Sequence, residues 1–265
     1  MESTMARPGA RIALTDLPGD GHPVVLTHGA GMDRSAFTDI ARDLNDAGHR
    51  VLLWDLRGHA QSALEPGARF SALGALDDLD ALIVDRGLER PVLVGHSLGG
   101  NLSQALVRRH PKRARGLVVI GSTSNTGPLT AFERFALRRL SGPALALIPA
   151  SRLPGMLARA SATTTDAITR LTALFDRMPK HTFLDVWHGT ADLVEPDPTY
   201  RTPVPLTLIR GEKDDTGNIA AAMTAWAERD DAAVHVIPGA GHVVMWDAPA
   251  ATSTAVRAAV AAMTA

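Results

Sequence analysis

The chain has 265 residues, of which 45% are hydrophobic, with a formal net charge of -1 and no cysteine. A chain of this length can bury one large core, and its nearly balanced charge does not point to nucleic acid or an anionic membrane surface as a partner. The missing cysteines exclude disulfides, thiolate zinc sites and a cysteine nucleophile. No apolar run reaches the roughly 18–20 residues that cross a bilayer. The chain begins with MESTMARP, which lacks the apolar segment of a secretory signal, so we predict a cytoplasmic location.

The first half of the chain alternates apolar strands with amphipathic helices. A short edge strand is predicted at 10–14, before a turn rich in glycine and proline. The other predicted strands are 24–27, 51–54, 92–95 and 117–120. Helical spacing of apolar residues predicts helices at 35–47, at 71–85 and from Ser97 to about Arg109. Nearly all-apolar strands that alternate with helices predict a parallel sheet covered on both faces.

This alternation is interrupted between about 122 and 200. There the pattern is helical and broken by prolines, with amphipathic segments at 131–140 and 165–178. After it the predicted strands are 205–209 and 233–237, and the predicted helices are 218–229 and 250–263. We therefore predict one discontinuous core domain formed by 1–121 and 201–265. Residues 122–200 would form a helical cap inserted into it.

A serine framed by glycines joins the strand at 92–95 to the following helix. The sequence reads Gly95-His96-Ser97-Leu98-Gly99, a G-x-S-x-G pattern. At a sharp turn between strand and helix, such a serine has a strained backbone and projects its Oγ away from the sheet. Strand and helix can approach closely only if Gly95 and Gly99 lack side chains. A plain strand-to-helix turn can also carry these residues, so partners for the serine must be found elsewhere in the chain.

A nucleophilic serine needs a base, and the base needs an orienting acid. In an open parallel sheet such groups follow the carboxyl ends of strands. His242 follows the last predicted strand, and the loop at 210–216 after the preceding strand contains Asp214. The order Ser97, Asp214, His242 along the chain is the order expected for this kind of turn.

Five motifs stand in order along the sequence. They are His28-Gly29-Ala30-Gly31, Asp55-Leu56-Arg57-Gly58-His59, Gly95-His96-Ser97-Leu98-Gly99-Gly100, Gly211-Glu212-Lys213-Asp214 and Gly241-His242. Together they resemble the α/β-hydrolase family with a helical lid, over essentially the whole chain. The resemblance implies an α/β fold with a mostly parallel, doubly wound sheet and an inserted helical cap. One position departs from the family's D-x-R-G-x-G-x-S loop: Ala60 replaces a glycine, which costs roughly 1 kcal/mol if φ is positive there.

The resemblance implies Ser97 as nucleophile, Asp214 as acid and His242 as base. Asp215 is the rival acid, and Glu212 is a third candidate. In some relatives the acid follows the preceding core strand, but here that segment reads Gly121-Ser122-Thr123-Ser124-Asn125, without a carboxylate.

Two backbone N–H groups are expected to stabilise the oxyanion. Leu98 supplies one, at the N-terminus of a helix whose dipole favours negative charge. The turn after the strand at 24–27 supplies the other, from Ala30 or, as second choice, Gly31. His96 is expected to point away from the site and to pack against its surroundings, with a role in the site as the minor alternative. His28 and His59 are expected to hold loops by hydrogen bonds.

The reaction implied is the cleavage of an ester-type bond (carboxylester, lactone or thioester) in a small, largely apolar substrate, through an acyl-enzyme on Ser97 and without metal or organic cofactor. A haloalkane dehalogenase is excluded, because the resemblance would then require aspartate at position 97. A carbon–carbon bond hydrolase, with Asn101 or Arg134 as an extra polar group, and a cofactor-free perhydrolase stay open. A ligand-binding, receptor-like protein with an unused triad is the alternative of another class.

Overall fold

The computed structural model describes residues 1–128 and 146–265. Within them a nine-stranded sheet has the order β1-β2-β4-β3-β6-β7-β8-β9, with β5 beside β2. The strands are β1 (Glu2–Arg7), β2 (Ala10–Leu17), β3 (Gly21–Thr27), β4 (His49–Trp54), β5 (Ala63–Leu64), β6 (Val92–His96), β7 (Gly116–Ile120), β8 (Leu206–Gly211) and β9 (Ala233–Ile237). The six strands from β4 to β9 in this order pair in parallel, and the pairs of β2 with β1, β4 and β5 are antiparallel. The predicted mostly parallel sheet is confirmed.

Helices cover both faces of this sheet, because alternate strand residues point to opposite faces and nearly all are apolar. The helices are α1 (Thr38–Asp46), α2 (Ala72–Asp85), α3 (Leu98–Arg109), α4 (Leu153–Ser161), α5 (Thr165–Arg177), α6 (Lys180–Thr190), α7 (Ile219–Asp230), α8 (Val244–Asp247) and α9 (Pro249–Thr264). On one face Val25 packs in a cluster with residues of α2, α3 and α7. On the other face Val24 and Leu26 pack in a cluster with residues of α1 and α9. No helix in the described part of the chain is long and apolar enough to span a membrane.

The prediction of an edge strand at 10–14 is wrong in its position. β2 is an inner strand that lies between β1 and β4, and β1 forms the edge. β1 has the sequence ESTMAR and alternates exposed with half-buried residues, so it contains no apolar run that would mark a buried strand.

The segment between β7 and β8 contains helices and, among its described residues, no strand. α4 and α5 pack against each other, α6 packs on α2, and α5 also contacts α8. The amphipathic helix predicted at 131–140 lies outside the described residues. The division of the chain into a core and a cap at 122–200 stays a prediction.

Parallel strands bring their carboxyl ends to one edge of the sheet. The loops after β3, β4, β6, β8 and β9 therefore meet there. These loops contain the candidate residues of the sequence motifs, as expected for an open α/β sheet.

Candidate active site

Ser97 occupies the turn between β6 and α3 with a positive φ of 50° and a ψ of -118°. A non-glycine residue in such a conformation costs about 1–3 kcal/mol and persists only where its surroundings fix it. The Ser97 N–H donates to the carbonyl oxygen of Ile120 at 2.9 Å, and its own carbonyl accepts from the Asn101 N–H at 3.0 Å. The strained turn is thus held by β7 on one side and by α3 on the other.

The glycines on either side of Ser97 are required by close contacts. A Cβ on Gly95 would lie 2.3 Å from the carbonyl oxygen of Gly99, and a Cβ on Gly99 would lie 2.1 Å from that of Thr27. Neither separation is possible for real atoms, so β6, β3 and α3 meet here only because both side chains are absent. The steric interpretation of the G-x-S-x-G motif is confirmed.

The turn after β3 lies next to Ser97. A Cβ on Gly29, in this turn, would be 3.1 Å from the Cβ of Ser97. The backbone N–H groups of Ala30 and Leu98 make no hydrogen bond within residues 1–128 and 146–265. The N–H of Gly31, in contrast, donates to Nε2 of His59 at 3.2 Å. Of the two candidates in this turn, Ala30 is therefore the one whose N–H is available.

His242 and Asp214 form a buried hydrogen-bonded pair. Nδ1 of His242 lies 2.9 Å from Oδ2 of Asp214, and both side chains are buried. Because a carboxylate only accepts, Nδ1 carries the proton and Nε2 is left as a base. Burial raises the pKa of the Asp214 carboxyl, but the hydrogen bond and charge of His242 and the bonds from Thr216 outweigh it, so the pKa lies below its usual value.

The two rival carboxylates lie elsewhere. Asp215 is exposed. Glu212 accepts a hydrogen bond from the N–H of Gly239 at 2.8 Å, so it holds the loop that precedes His242. Of the three carboxylates considered, the structure therefore brings Asp214 to the histidine.

His96 connects the serine turn to the histidine loop. Its Nε2 donates to the carbonyl oxygen of His242 at 3.1 Å, and the two rings lie with centroids 4.8 Å apart. Burial and the neighbouring His242 ring lower the pKa of His96 to about 3, so its ring is neutral. The sequence predicted mainly packing, with the side chain pointing away from the site and a site role as the minor alternative; it did not predict that the ring would lie against that of His242. It gave no sign of the hydrogen bond, because the partner lies 146 residues further along the chain.

His28 and His59 hold loops by hydrogen bonds, as predicted. Nε2 of His28 accepts from the N–H of Leu56 at 3.0 Å, and Nδ1 of His59 donates to the carbonyl of Arg57 at 3.0 Å. Burial lowers the pKa of both rings, that of His59 to about 3. Ala60, next in the chain, has a φ of 44°, so the condition under which alanine is costly there is met.

Asn101 is occupied by internal hydrogen bonds. Its Nδ2 donates to Oδ1 of Asn125 at 2.6 Å, and Nδ2 of Asn125 donates to the Asn101 carbonyl at 2.8 Å. Both side chains are buried and tie the segment after β7 to α3. The other polar residue considered for a carbon–carbon bond hydrolase, Arg134, lies outside the described residues.

A cavity of about 740 Å³ lies beside the turn after β3. Its walls come from that turn, from the loop after β4 and from the connection of α5 to α6, and they include Gly31, Arg34 and Asp55. Nη1 of Arg34 donates to Oδ2 of Asp55 at 3.0 Å, so these two charges are paired. Ser97 and the Asp214–His242 pair do not line this cavity, which borders the turn rather than the serine.

The model of the alpha/beta hydrolase family matches residues 24–255. This chain therefore belongs to the alpha/beta hydrolase family. It is similar to a 2-hydroxymuconate semialdehyde hydrolase of Pseudomonas putida, with 28% identity over 250 residues, 88% of this chain and 85% of that protein.

Two solved structures share the fold. A thermophilic esterase from Thermogutta terrifontis has a TM-score of 0.80 and 25% identity, and the match covers 100% of both chains. An esterase from Exiguobacterium antarcticum has a TM-score of 0.82 and 17% identity, with 98% of this chain and 100% of that one covered. The second likeness concerns the fold alone. The α/β-hydrolase fold predicted from the motifs is thus confirmed.

Proposed function

We propose that this protein is a serine hydrolase that cleaves an ester-type bond of a small, largely apolar substrate. The observation that carries the proposal is the buried Asp214–His242 pair, packed against His96, which directly precedes the half-buried Ser97. A histidine with a carboxylate on Nδ1 presents a basic Nε2, which is what a serine nucleophile needs.

In the proposed reaction Ser97 Oγ attacks the substrate carbonyl while Nε2 of His242 takes its proton. Asp214 keeps the imidazole in the required tautomer and stabilises the imidazolium that forms. The leaving group receives the proton from His242, and an acyl-enzyme on Ser97 remains. A water molecule activated by the same imidazole then hydrolyses it. The chemistry needs no cofactor.

The N–H groups of Ala30 and Leu98 would bind the oxyanion in both steps. Each donor of this kind is typically worth about 10²–10³ in rate. Both amides are unoccupied within the described residues, and both belong to segments that touch Ser97. Their availability supports acyl transfer over a purely binding role.

A carbon–carbon bond hydrolase on the same triad is the second candidate. It is favoured by the Pseudomonas putida relative, whose named substrate has no ester group. The esterase from Thermogutta terrifontis supports the ester assignment, and the internal bonding of Asn101 removes one polar group that the alternative would use. We therefore place ester-type cleavage first. We further propose a small molecule as the partner, and neither nucleic acid nor a membrane.

The test is a panel of aryl esters, lactones, thioesters and a vinylogous diketone, assayed with the wild type, Ser97→Ala and Ser103→Ala. Ser103 is a matched control: it is a buried serine on α3 whose Oγ donates to the Gly99 carbonyl. We expect ester turnover in the wild type and in Ser103→Ala, and a loss of about 10⁴-fold or more in Ser97→Ala. Turnover of the diketone alone would favour the second candidate, and equal turnover in Ser97→Ala would refute both.

A further inference from the structure

The loop that carries His242 is bonded to the inserted helical segment. The N–H of Val243 donates to the carbonyl of Ser161 at 3.0 Å, and Oγ1 of Thr163 donates to the carbonyl of Gly239 at 3.0 Å. Ser161 is the last residue of α4, and Thr163 lies in the connection to α5. The α4–α5 connection thus contacts the chain on both sides of His242.

Asp247 joins the same two segments through one side chain. Its Oδ2 accepts from the N–H of Gly241 at 2.8 Å, directly before His242. Its Oδ1 accepts from the N–H of Thr164 at 2.9 Å and from Oγ1 of Thr164 at 3.0 Å. The N–H of Thr163 lies 3.0 Å from both oxygens. Hydrogen bonds to a charged acceptor are about twice as strong as neutral ones, so this carboxylate is a strong link.

The contact between the loop of His242 and the α4–α5 connection is close, so little movement is possible there. A Cβ on Gly241 would lie 3.1 Å from the Ser161 carbonyl oxygen and 3.2 Å from Oδ2 of Asp247. Thr164 also caps the N-terminus of α5, where its Oγ1 accepts from the Ala167 N–H. Negative charge is favoured at a helix N-terminus, so the dipole of α5 adds to the attraction for Asp247.

We infer that Asp247 is a positioning residue that ties the loop of His242 to the α4–α5 connection, so that the placement of these two helices sets the placement of the base. The inference rests on the proposed role of His242. A displacement of about 1 Å in a catalytic group can cost about 10²-fold in rate, so a link of this kind has a measurable effect.

The test compares Asp247→Asn with Asp230→Asn. In Asp247→Asn the side chain keeps its shape, but its NH2 group faces at least one of the N–H donors that the carboxylate accepts. Asp230 is the matched control, because its Oδ2 accepts from the Thr202 N–H and from Nε1 of Trp226, both at 3.0 Å. Asp230 ends α7 and lies at the opposite, amino-terminal edge of the sheet.

For Asp247→Asn we expect kcat on an aryl ester to fall about 10- to 100-fold, with little change in KM. Hydrogen exchange at the amides of 239–243 and 161–164 should rise in the same variant. Asp230→Asn should leave both readouts near the wild type, even where it lowers thermal stability. Thr163→Val removes only the bond to the Gly239 carbonyl, and we expect a smaller loss of kcat in the same direction.

Two results would overturn the inference: unchanged exchange at 239–243 in Asp247→Asn, or a loss of kcat no larger than that of Asp230→Asn. Failure of the proposed function looks different, since the wild type itself would then lack turnover. Hydrogen exchange then tests the inference without any measurement of activity. A rise at 239–243 in Asp247→Asn and not in Asp230→Asn supports the link, and equal exchange in the two variants refutes it.

Discussion

Two pairs of histidines lie at the carboxyl edge of the sheet, and they differ in what their ring nitrogens bind. The rings of His28 and His59 have centroids 5.2 Å apart, and those of His96 and His242 are 4.8 Å apart. All four side chains are buried. In the first pair every ring nitrogen is bonded to a backbone group. In the second pair His242 bonds a carboxylate, and Nδ1 of His96 has no partner among the described residues.

Burial alone therefore does not distinguish the histidine that we propose as the base. A ring with both nitrogens engaged by backbone has no free lone pair and holds a loop. A ring with Asp214 on Nδ1 keeps Nε2 open and gains a partner for its charged form. His96 is intermediate, since it is neutral and bonded to the backbone of His242 itself.

The largest effect should come from removing the carboxylate that distinguishes the second pair. Asp214→Asn should lower ester turnover by about 10⁴-fold, because the amide favours the wrong imidazole tautomer. Asp215→Asn changes an exposed neighbour of the same type and should keep most of the activity. The measurement is kcat/KM on an aryl ester for both variants. If Asp215→Asn lost the activity and Asp214→Asn kept it, Asp215 would be the acid.

Changing one ring in each pair should separate stability from activity. His59→Gln breaks bonds to the Gly31 N–H and the Arg57 carbonyl, so we expect a loss of about 1–3 kcal/mol in the free energy of unfolding. His242→Gln should abolish turnover with a smaller loss of stability. Denaturant titrations and ester assays on both variants measure this. If His59→Gln lost turnover as completely as His242→Gln at full folding, the distinction between the pairs would fail.

Low pH should lower the free energy of unfolding, because the buried rings of His59 and His96 are neutral in the folded protein. The pKa of His59 and that of His96 are both lowered to about 3, whereas an unfolded histidine titrates at 6.5. Below 6.5 the unfolded chain binds protons that the folded one does not, so stability is full above this pH and lost as the pH falls towards 3. Each ring contributes up to about 1.4 kcal/mol per pH unit.

Unfolding of the wild type and of His59→Gln by denaturant between about pH 7 and 5 measures this slope, which should be shallower in the variant. Equal slopes would show that His59 is not held neutral. The carboxyl of Asp214 acts in the same direction at lower pH, because its pKa is depressed in the folded protein. Its contribution to stability is present above the pKa of an unfolded aspartate, about 3.9, and is lost as the pH falls below that value.

The smallest effect concerns the loop that carries His59. Ala60→Gly relieves a positive φ and should raise the free energy of unfolding by up to about 1 kcal/mol, with turnover unchanged. Ala47→Gly is the control, since Ala47 is exposed and has a φ of -80°. The control should lower stability, because glycine there only adds freedom to the unfolded chain. Equal changes in the two variants would mean that Ala60 is not strained.

The sequence predicts those parts of the site whose physical cause is local. Gly95 and Gly99 exclude side chains from one crossing of strand and helix, so the motif itself describes the contact. Parallel strands end at one edge of the sheet, so the loops after β8 and β9 were predicted to lie near the serine turn. For this reason Asp214 and His242 were candidates. The position of the apolar strands likewise follows from their burial on both faces.

The features that the sequence does not predict depend on contacts between distant parts of the chain. β1 packs against the core through Met5 but contains no apolar run, so its composition does not mark it as a buried strand. The bonds of His96 and Asp247 join residues 146 and 83 positions apart, and neither residue lies in a pattern that specifies its partner. Such roles become visible only when the sheet order and the loop packing are known.

Whether Ser97 is an activated nucleophile can be measured by labelling with a fluorophosphonate probe and mass spectrometry of the digested protein. We expect one adduct per chain, on the peptide that contains Ser97, formed readily in the wild type and in His59→Gln. Labelling should be strongly slowed in Asp214→Asn and absent in Ser97→Ala. An unlabelled wild type, or an adduct that persists in Ser97→Ala, would contradict this expectation.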